Sequence, residues 1–202
     1  MDPAFVRAEL SRLEWLGCIK RVVERPYVVL PMSGVHSNKW RLVLNASQGL
    51  NPWCKKRSFK LDNLGHLSNV LARGDFMVCN DFDSGYWHLP VAESHHQYLG
   101  VHFEQENRSV LYWVWTVLVL GLRDAAHILT RAVAPIIVHL RKEGYKILAY
   151  IDNVFVAAAT KELALRQECR LYHVFRNCGW VFKPEKRSGE PAQVIPFESY
   201  IL

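Results

Sequence analysis

Met77-Val78-Cys79-Asn80-Asp81-Phe82 is an apolar run that ends on an aspartate and continues into Asp83-Ser84-Gly85-Tyr86-Trp87. Far downstream, Ile147-Leu148-Ala149-Tyr150-Ile151-Asp152-Asn153-Val154-Phe155-Val156 again sets an aspartate against apolar residues. The second stretch reads as a β-hairpin whose two-residue tip is Asp152-Asn153, a pair that tolerates the positive φ angles of tight turns. A carboxylate at a hairpin tip beside one at a strand end can hold divalent cations. Two such cations roughly 4 Å apart can clamp the attacking and leaving oxygens of a phosphoryl transfer. Fold and chemistry both turn on whether the rest of the chain brings Asp81 and Asp152 together.

Working outward, the spacing of Leu10, Leu13, Leu16 and Ile19 predicts an amphipathic N-terminal helix that ends before Arg25-Pro26. Tyr27 to Leu30 and Trp40 to Leu44 read as two strands joined by the polar stretch Ser33 to Lys39. Leu61 to Arg73 has helical spacing and stops at Gly74. Phe76 to Phe82 is a strand, and Tyr98 to Phe103 pairs with Val110 to Val117 around Gln105 to Arg108. A long helix spans Asp124 to Lys142, with Ile128, Ala132, Ile136 and Leu140 on one face, Pro135 inside it and Gly144 as its cap. After the hairpin comes a helix from Lys161 to Asn177, ended by Gly179. Final strands fall near Trp180 to Phe182 and Val194 to Phe197. Helices and strands alternate irregularly, which predicts an α+β or mixed-sheet fold and not a doubly wound parallel one.

Composition narrows the class. The chain has 202 residues, half of them apolar, so a full core can form and disorder throughout is excluded. A net charge of +6 suits a polyanionic partner. The five cysteines are odd in number and scattered, which argues for reduced thiols and against a zinc site or disulfide framework. The charged start of the chain is no signal peptide, and the apolar stretch from Val110 to Leu122 is too short to span a membrane. The expectation is an intracellular chain without a membrane partner; nucleus and cytoplasm are not distinguished.

Taken in order, the segments resemble the fingers and palm of a reverse transcriptase, most of all that of DIRS-like, tyrosine-recombinase-encoding retrotransposons. Lys39-Trp40-Arg41-Leu42-Val43-Leu44-Asn45 with Leu50-Asn51, and Phe59-Lys60-Leu61-Asp62-Asn63-Leu64, are similar to fingers segments. Asp81-Phe82-Asp83-Ser84-Gly85-Tyr86 resembles the first palm motif, D-x-x-S-G-Y. Thr116 to Leu122 resembles T-V-L-P-F-G-L, Tyr150-Ile151-Asp152-Asn153 stands where the family has [FY]-x-D-D, and Gly179 to Lys186 resembles G-x-x-[IL]-N-P-x-K. The pattern departs at Asn153, at Val119-Leu120, at Arg123-Asp124 and at Glu198-Ser199.

The resemblance implies a polymerase right-hand fold of α+β class, an antiparallel palm sheet backed by helices, with the thumb absent. Residues 1–202 form a single domain, in which 1–75 and 91–115 are mainly fingers and 76–90 and 116–202 mainly palm. It implies template-directed DNA synthesis from an RNA template, a DNA primer and deoxynucleoside triphosphates. Asp81 and Asp152 would bind Mg2+ (or Mn2+), Asn153 would replace the third carboxylate, and Lys186 would protonate pyrophosphate. Lys39 and Arg41 would grip the triphosphate, Tyr86 would floor the sugar, and Leu120 and Gly121 would line the base pocket. Lys55, Lys56 and Arg57 would meet template phosphates. Each residue also has a plainer reading: a turn-capping aspartate, a core tyrosine, solvated surface charges. With Asn153 and no thumb, RNase H or recombinase segment, the alternative is a fragment or decayed copy, catalytically inactive and at most a nucleic-acid-binding module. Oligomeric state is left open.

Overall fold

The structure is a computed structural model and describes residues 2–36, 40–55, 57–58, 69–187, 189–197 and 200–201. Lys39, Lys56, the Phe59 to Leu64 segment, most of the helix expected over 61–73 and Glu198-Ser199 lie outside the described residues. The chain divides into two compact units, Met1–Arg57 with Tyr86–Ala126, and Ser58–Gly85 with His127–Leu202.

In the first unit, helix α1 (Pro3–Trp15) is started by Asp2, whose carboxylate accepts from the Ala4 N–H. Pro3 sits in the first turn, where its missing N–H costs no hydrogen bond. Val6, Leu10 and Leu13 are buried with Trp113 and Trp115 in one apolar cluster. The expected helical run to Ile19 is corrected. The helix ends at Trp15, Leu16 is exposed, and Gly17 reverses the chain at φ +72°. Ile19 instead opens strand β1 (Ile19–Val22), whose partner was not foreseen. It pairs antiparallel with β6 (Val110–Trp115), which also pairs with β5 (Gly100–Glu104), giving the order β1-β6-β5.

The first hairpin is also corrected. Strand β2 is Met32–His36 and pairs with β3 (Trp40–Leu44), Val35 opposite Arg41. Tyr27 to Leu30 makes only a single parallel bridge, Val29 to Gly100. Pro26 and Pro31 bracket that stretch and can donate no ladder bond, so the ladder forms beyond them.

In the second unit, β4 (Phe76–Asp81), β8 (Asn153–Ala158) and β7 (Lys146–Tyr150) form an antiparallel sheet in the order β4-β8-β7. Side chains alternate across it. Met77, Cys79, Leu148 and Phe155 enter one apolar cluster with Ile195. Helix α3 (Lys161–Asn177) packs on β4 and β8. Thr160 caps it by accepting from the Leu163 N–H, and the Trp180 N–H returns to the Phe175 carbonyl to close its far end. Helix α2 (Ala125–Lys142) runs through Pro135, which lies on its exposed side. Its buried stripe is Leu129, Val133, Ile136, Ile137 and Leu140; Ile128, expected on that face, is 43% exposed. The expected strand at Trp180 to Phe182 is a single bridge from Phe182 to Phe82, and the last strands are β9 (Pro196–Phe197) and β10 (Tyr200–Ile201). Among the described residues no helix is long and apolar enough to cross a membrane, and all five cysteines are free thiols.

Candidate functional site

Asp81 ends β4, the apolar strand whose burial fixes its path. The next residue, Phe82, is fully buried, with its ring 4.7 Å from Phe182, 4.8 Å from Trp180 and 5.3 Å from Phe175. That aromatic packing pins the backbone beside the carboxylate, because rings of this size dominate local burial. The Phe82 N–H donates to the Asp152 carbonyl at 2.8 Å, which ties the end of β4 to the hairpin tip. Gly85 lies close by: a Cβ there would stand 3.2 Å from that of Phe82 and 3.5 Å from that of Asp152.

The tip itself is corrected by one residue. Tyr150 pairs with Asn153, so the two tip residues are Ile151 and Asp152, and Asn153 is the first residue of β8. The positive φ falls on Ile151 (+53°), a β-branched side chain. Such a residue in the left-handed region costs about 1–3 kcal/mol and persists only where its surroundings hold it there. Here Asn153 is held on both sides, opposite Tyr150 on β7 and opposite Asp81 on β4. The ladder therefore resumes at Asn153 and leaves Ile151 to make the turn. Cross-strand partners share a face, so the Asn153 amide and the Asp81 carboxylate point the same way. The Cys79 thiol, on that face too, donates to Asn153 Oδ1 over 3.9 Å.

On its other flank Asp81 meets a residue that sequence reasoning missed. The Lys183 N–H donates to the Asp81 carbonyl at 2.8 Å, and Lys183 Nζ lies 3.3 Å from Asp81 Oδ1. A row Asn153, Asp81, Lys183 thus crosses three chain segments. The signal was present in the sequence, because the G-x-x-[IL]-N-P-x-K pattern has asparagine where this chain has Lys183. Lys186, the expected proton donor, falls in a 3-10 turn, Pro184–Lys186.

The donor set can be tested against a divalent cation. Asp81, Asp152 and the Asn153 amide offer hard oxygen ligands of the kind Mg2+ and Mn2+ take. Among the described residues no group of three Asp, Glu, His or Cys side chains gathers for a metal. In donor chemistry, two carboxylates and an amide match what one hard cation takes when phosphate oxygens or water complete its shell, with one negative charge fewer than three carboxylates would carry.

Beneath the sheet, Asn80 points to the opposite face and is fully buried. The Tyr172 hydroxyl donates to its Oδ1 at 2.6 Å, and burial pushes the Tyr172 phenol up to about 12. Glu168, 3% exposed, accepts two hydrogen bonds from the Arg187 guanidinium, which anchors the segment after Lys183 to α3.

The remaining predicted residues belong to the first unit. Arg41 is exposed on β3, and Tyr86 is half-buried in the 3-10 turn Gly85–His88. Leu120 is 59% exposed. Gly121 adopts φ +104°, and a Cβ there would lie 2.5 Å from the Leu44 carbonyl oxygen, so only glycine fits. A clip that the motifs did not reveal holds this loop. Asn51 donates to the Gly121 carbonyl and accepts from the Arg123 N–H, both at 2.8 Å, while Arg123 Nη1 donates to the Cys54 carbonyl. Lys55 is exposed, and Arg57 Nε stands 3.8 Å from Asp124 Oδ2.

No protein-family model matches the chain, and no curated protein matches it. Solved structures do. A foamy viral protease-reverse transcriptase in complex with double-stranded DNA superposes with a TM-score of 0.79 at 18% identity, over 97% of this chain and 33% of that one. The native prototype foamy virus protease-reverse transcriptase superposes with a TM-score of 0.72 at 16% identity, over 88% of this chain and 23% of that one. The chain therefore has a reverse transcriptase-like fold and spans a third or less of the length of these proteins. At such identities the likeness is one of fold.

Proposed function

We propose that this chain is a reverse transcriptase domain whose strand-end cluster serves template-directed nucleotidyl transfer, weakened at the metal site by Asn153. The observation that carries the reading is the convergence of Asp81 with Asp152 and Asn153, through the Asp81 to Asn153 pairing and the Phe82 N–H to Asp152 carbonyl bond. Asp81 and Asp152 would hold Mg2+ or Mn2+. When bound, the cation supplies charge neutralisation for the attacking and leaving oxygens. Asn153 contributes an amide oxygen without charge, and the buried Phe82 keeps the Asp81 backbone in place. Lys39, Arg41, Tyr86, Leu120 and Gly121 are assigned to the incoming nucleotide, Lys55, Lys56 and Arg57 to template phosphates, and Lys186 to the leaving group. These roles rest on the resemblance of their motifs. The double-stranded DNA held by the foamy viral neighbour supports a nucleic-acid partner, and the net charge of +6 agrees with one. An origin in a DIRS-like retrotransposon is part of the proposal.

A second reading, a catalytically inactive nucleic-acid-binding module, is favoured by the missing carboxylate at Asn153 and the Lys183 ion pair on Asp81. Primer extension on an RNA template, with Mg2+ and with Mn2+, separates the two. Extension by the parent that disappears in Asp81→Ala supports the enzyme. Silence in the parent with extension by Asn153→Asp marks a polymerase disabled at one position. Silence in both variants and parent, with duplex binding retained, leaves the binding module.

A further inference from the structure

Asp81 is flanked on both sides along one row of the sheet. Asn153 stands opposite it on β8, and Lys183 stands opposite it on the segment that bridges Phe82 to Phe182. Lys183 is not placed there by its own flexible stem alone. Its N–H donates to the Asp81 carbonyl, and the Asp83 N–H donates to the Val181 carbonyl, so residues 181 to 183 run antiparallel along 81 to 83. The Phe182 ring stacks on Phe82 at an interplanar angle of 19° and packs edge-on against Tyr172. Pro184 adds a local constraint, since the residue before proline is driven to extended backbone. Lys183 has φ −82° and ψ 113°, an extended conformation. Four observations therefore converge on one ammonium beside one carboxylate. The pair is partly buried, with side-chain exposures of 27% for Lys183 and 16% for Asp81, so water screens it less than a surface pair.

We propose that Lys183 is a tethered cation at Asp81, and that a divalent metal must displace its ammonium to bind. The inference rests on the metal-site reading above and specifies how this chain departs from it. Asp81 and Asp152 supply two negative charges, Asn153 none, and Lys183 one positive charge, so the cluster keeps a single net negative charge. An ammonium on a long stem is a compact, well-hydrated charge that can swing away from its partner. Displacement is thus open to Lys183 without moving the backbone that holds it. The site is tuned to weak metal binding twice over, by an amide where a carboxylate belongs and by a lysine where the motif has asparagine.

The test is a titration of the whole chain with Mn2+ alone, following the free ion by electron paramagnetic resonance. Parent, Lys183→Gln, Lys183→Arg, Asp81→Asn and Asn153→Asp are compared after circular dichroism has established that each is folded. Lys183→Gln is expected to bind Mn2+ about two- to fivefold more tightly than the parent, the range in which a partly exposed ion pair acts. Lys183→Arg keeps the charge and should bind as the parent does, and Asp81→Asn should not bind saturably. Equal affinity in parent and Lys183→Gln, with Asp81 still required, overturns the proposal and leaves the metal site standing. An equal gain in Lys183→Arg and Lys183→Gln also overturns it, because the stem and not the charge would then be responsible. Absence of Asp81-dependent binding in every variant, Asn153→Asp included, overturns the metal-site reading and the proposal with it.

Discussion

Replacing Asn153 with aspartate puts a second carboxylate directly across the sheet from Asp81. Cross-strand partners have Cβ atoms about 5 Å apart. At that distance two unit charges repel by about 3 kcal/mol in an effective dielectric of 20. Solvent screening and the Lys183 ammonium, 3.3 Å from Asp81 Oδ1, reduce this. Like charges facing one another on a half-exposed sheet cost roughly 1 kcal/mol in practice. Hydrogen bonding does not rescue the variant, because the Cys79 thiol already donates to Asn153 Oδ1 and would serve an aspartate equally.

In chelator, Asn153→Asp should therefore be less stable than the parent by about 1 kcal/mol, which for a chain of this size is about 2–4 °C in melting temperature. Added Mg2+ reverses the sign. A ligand that binds only the folded state stabilises by RT ln(1 + [L]/Kd), about 1.4 kcal/mol at ten times Kd. The variant, with three carboxylates and one ammonium, should gain more from a given metal concentration than the parent. The assay is urea unfolding of both proteins in chelator and in 10 mM Mg2+ (or about 1 mM Mn2+), read by Trp fluorescence. Identical midpoints in chelator would refute the facing-carboxylate geometry. A deficit in chelator that metal leaves untouched would refute the claim that these side chains share a cation.

Two further outcomes test the framework. Asp75 is 5% exposed; burial pushes its carboxyl up, but the Lys146 hydrogen bond, the Ala72 N–H and the Lys146 charge outweigh that and hold it below its ordinary 3.8. A depressed acid contributes stability that is complete above its unfolded value and is lost as pH falls through its folded value. Asp75→Asn should cost about 1–3 kcal/mol at pH 7, and its deficit should shrink below about pH 4 in urea midpoints taken across the acid range; a deficit that does not vary with pH would contradict the ion pair. Gly121→Ala forces a Cβ to within 2.5 Å of the Leu44 carbonyl oxygen at φ +104°, and should cost about 2–4 kcal/mol by chemical denaturation, irrespective of metal. A variant of parental stability would show that the loop can shift despite the Asn51 clip.

The features that were legible in the sequence are those with local causes. The apolar run that ends on Asp81, the helix Lys161–Asn177 between Thr160 and Gly179, and the β5–β6 hairpin all announce themselves within a few residues. What was misread depends on pairing across the chain. Nothing near Ile151 marks it as the residue at positive φ. A β-branched side chain argues against it, and the choice is made by Asn153 being pulled into register with both Tyr150 and Asp81. Ile19 continues the apolar spacing of α1, yet belongs to a strand whose partner lies beyond residue 110. The same reason explains the site. Counted along the hairpin, its charge differs from the family pattern by one, at Asn153. Counted across the sheet it differs by two, because Lys183, 102 residues from Asp81 in sequence, stands on the carboxylate's other side. A motif lists ligands along the chain, whereas the field that a cation meets is summed over the strands. On the proposed metal-site reading, the strength of the site would be set as much by the residue before Pro184 as by the one after Asp152.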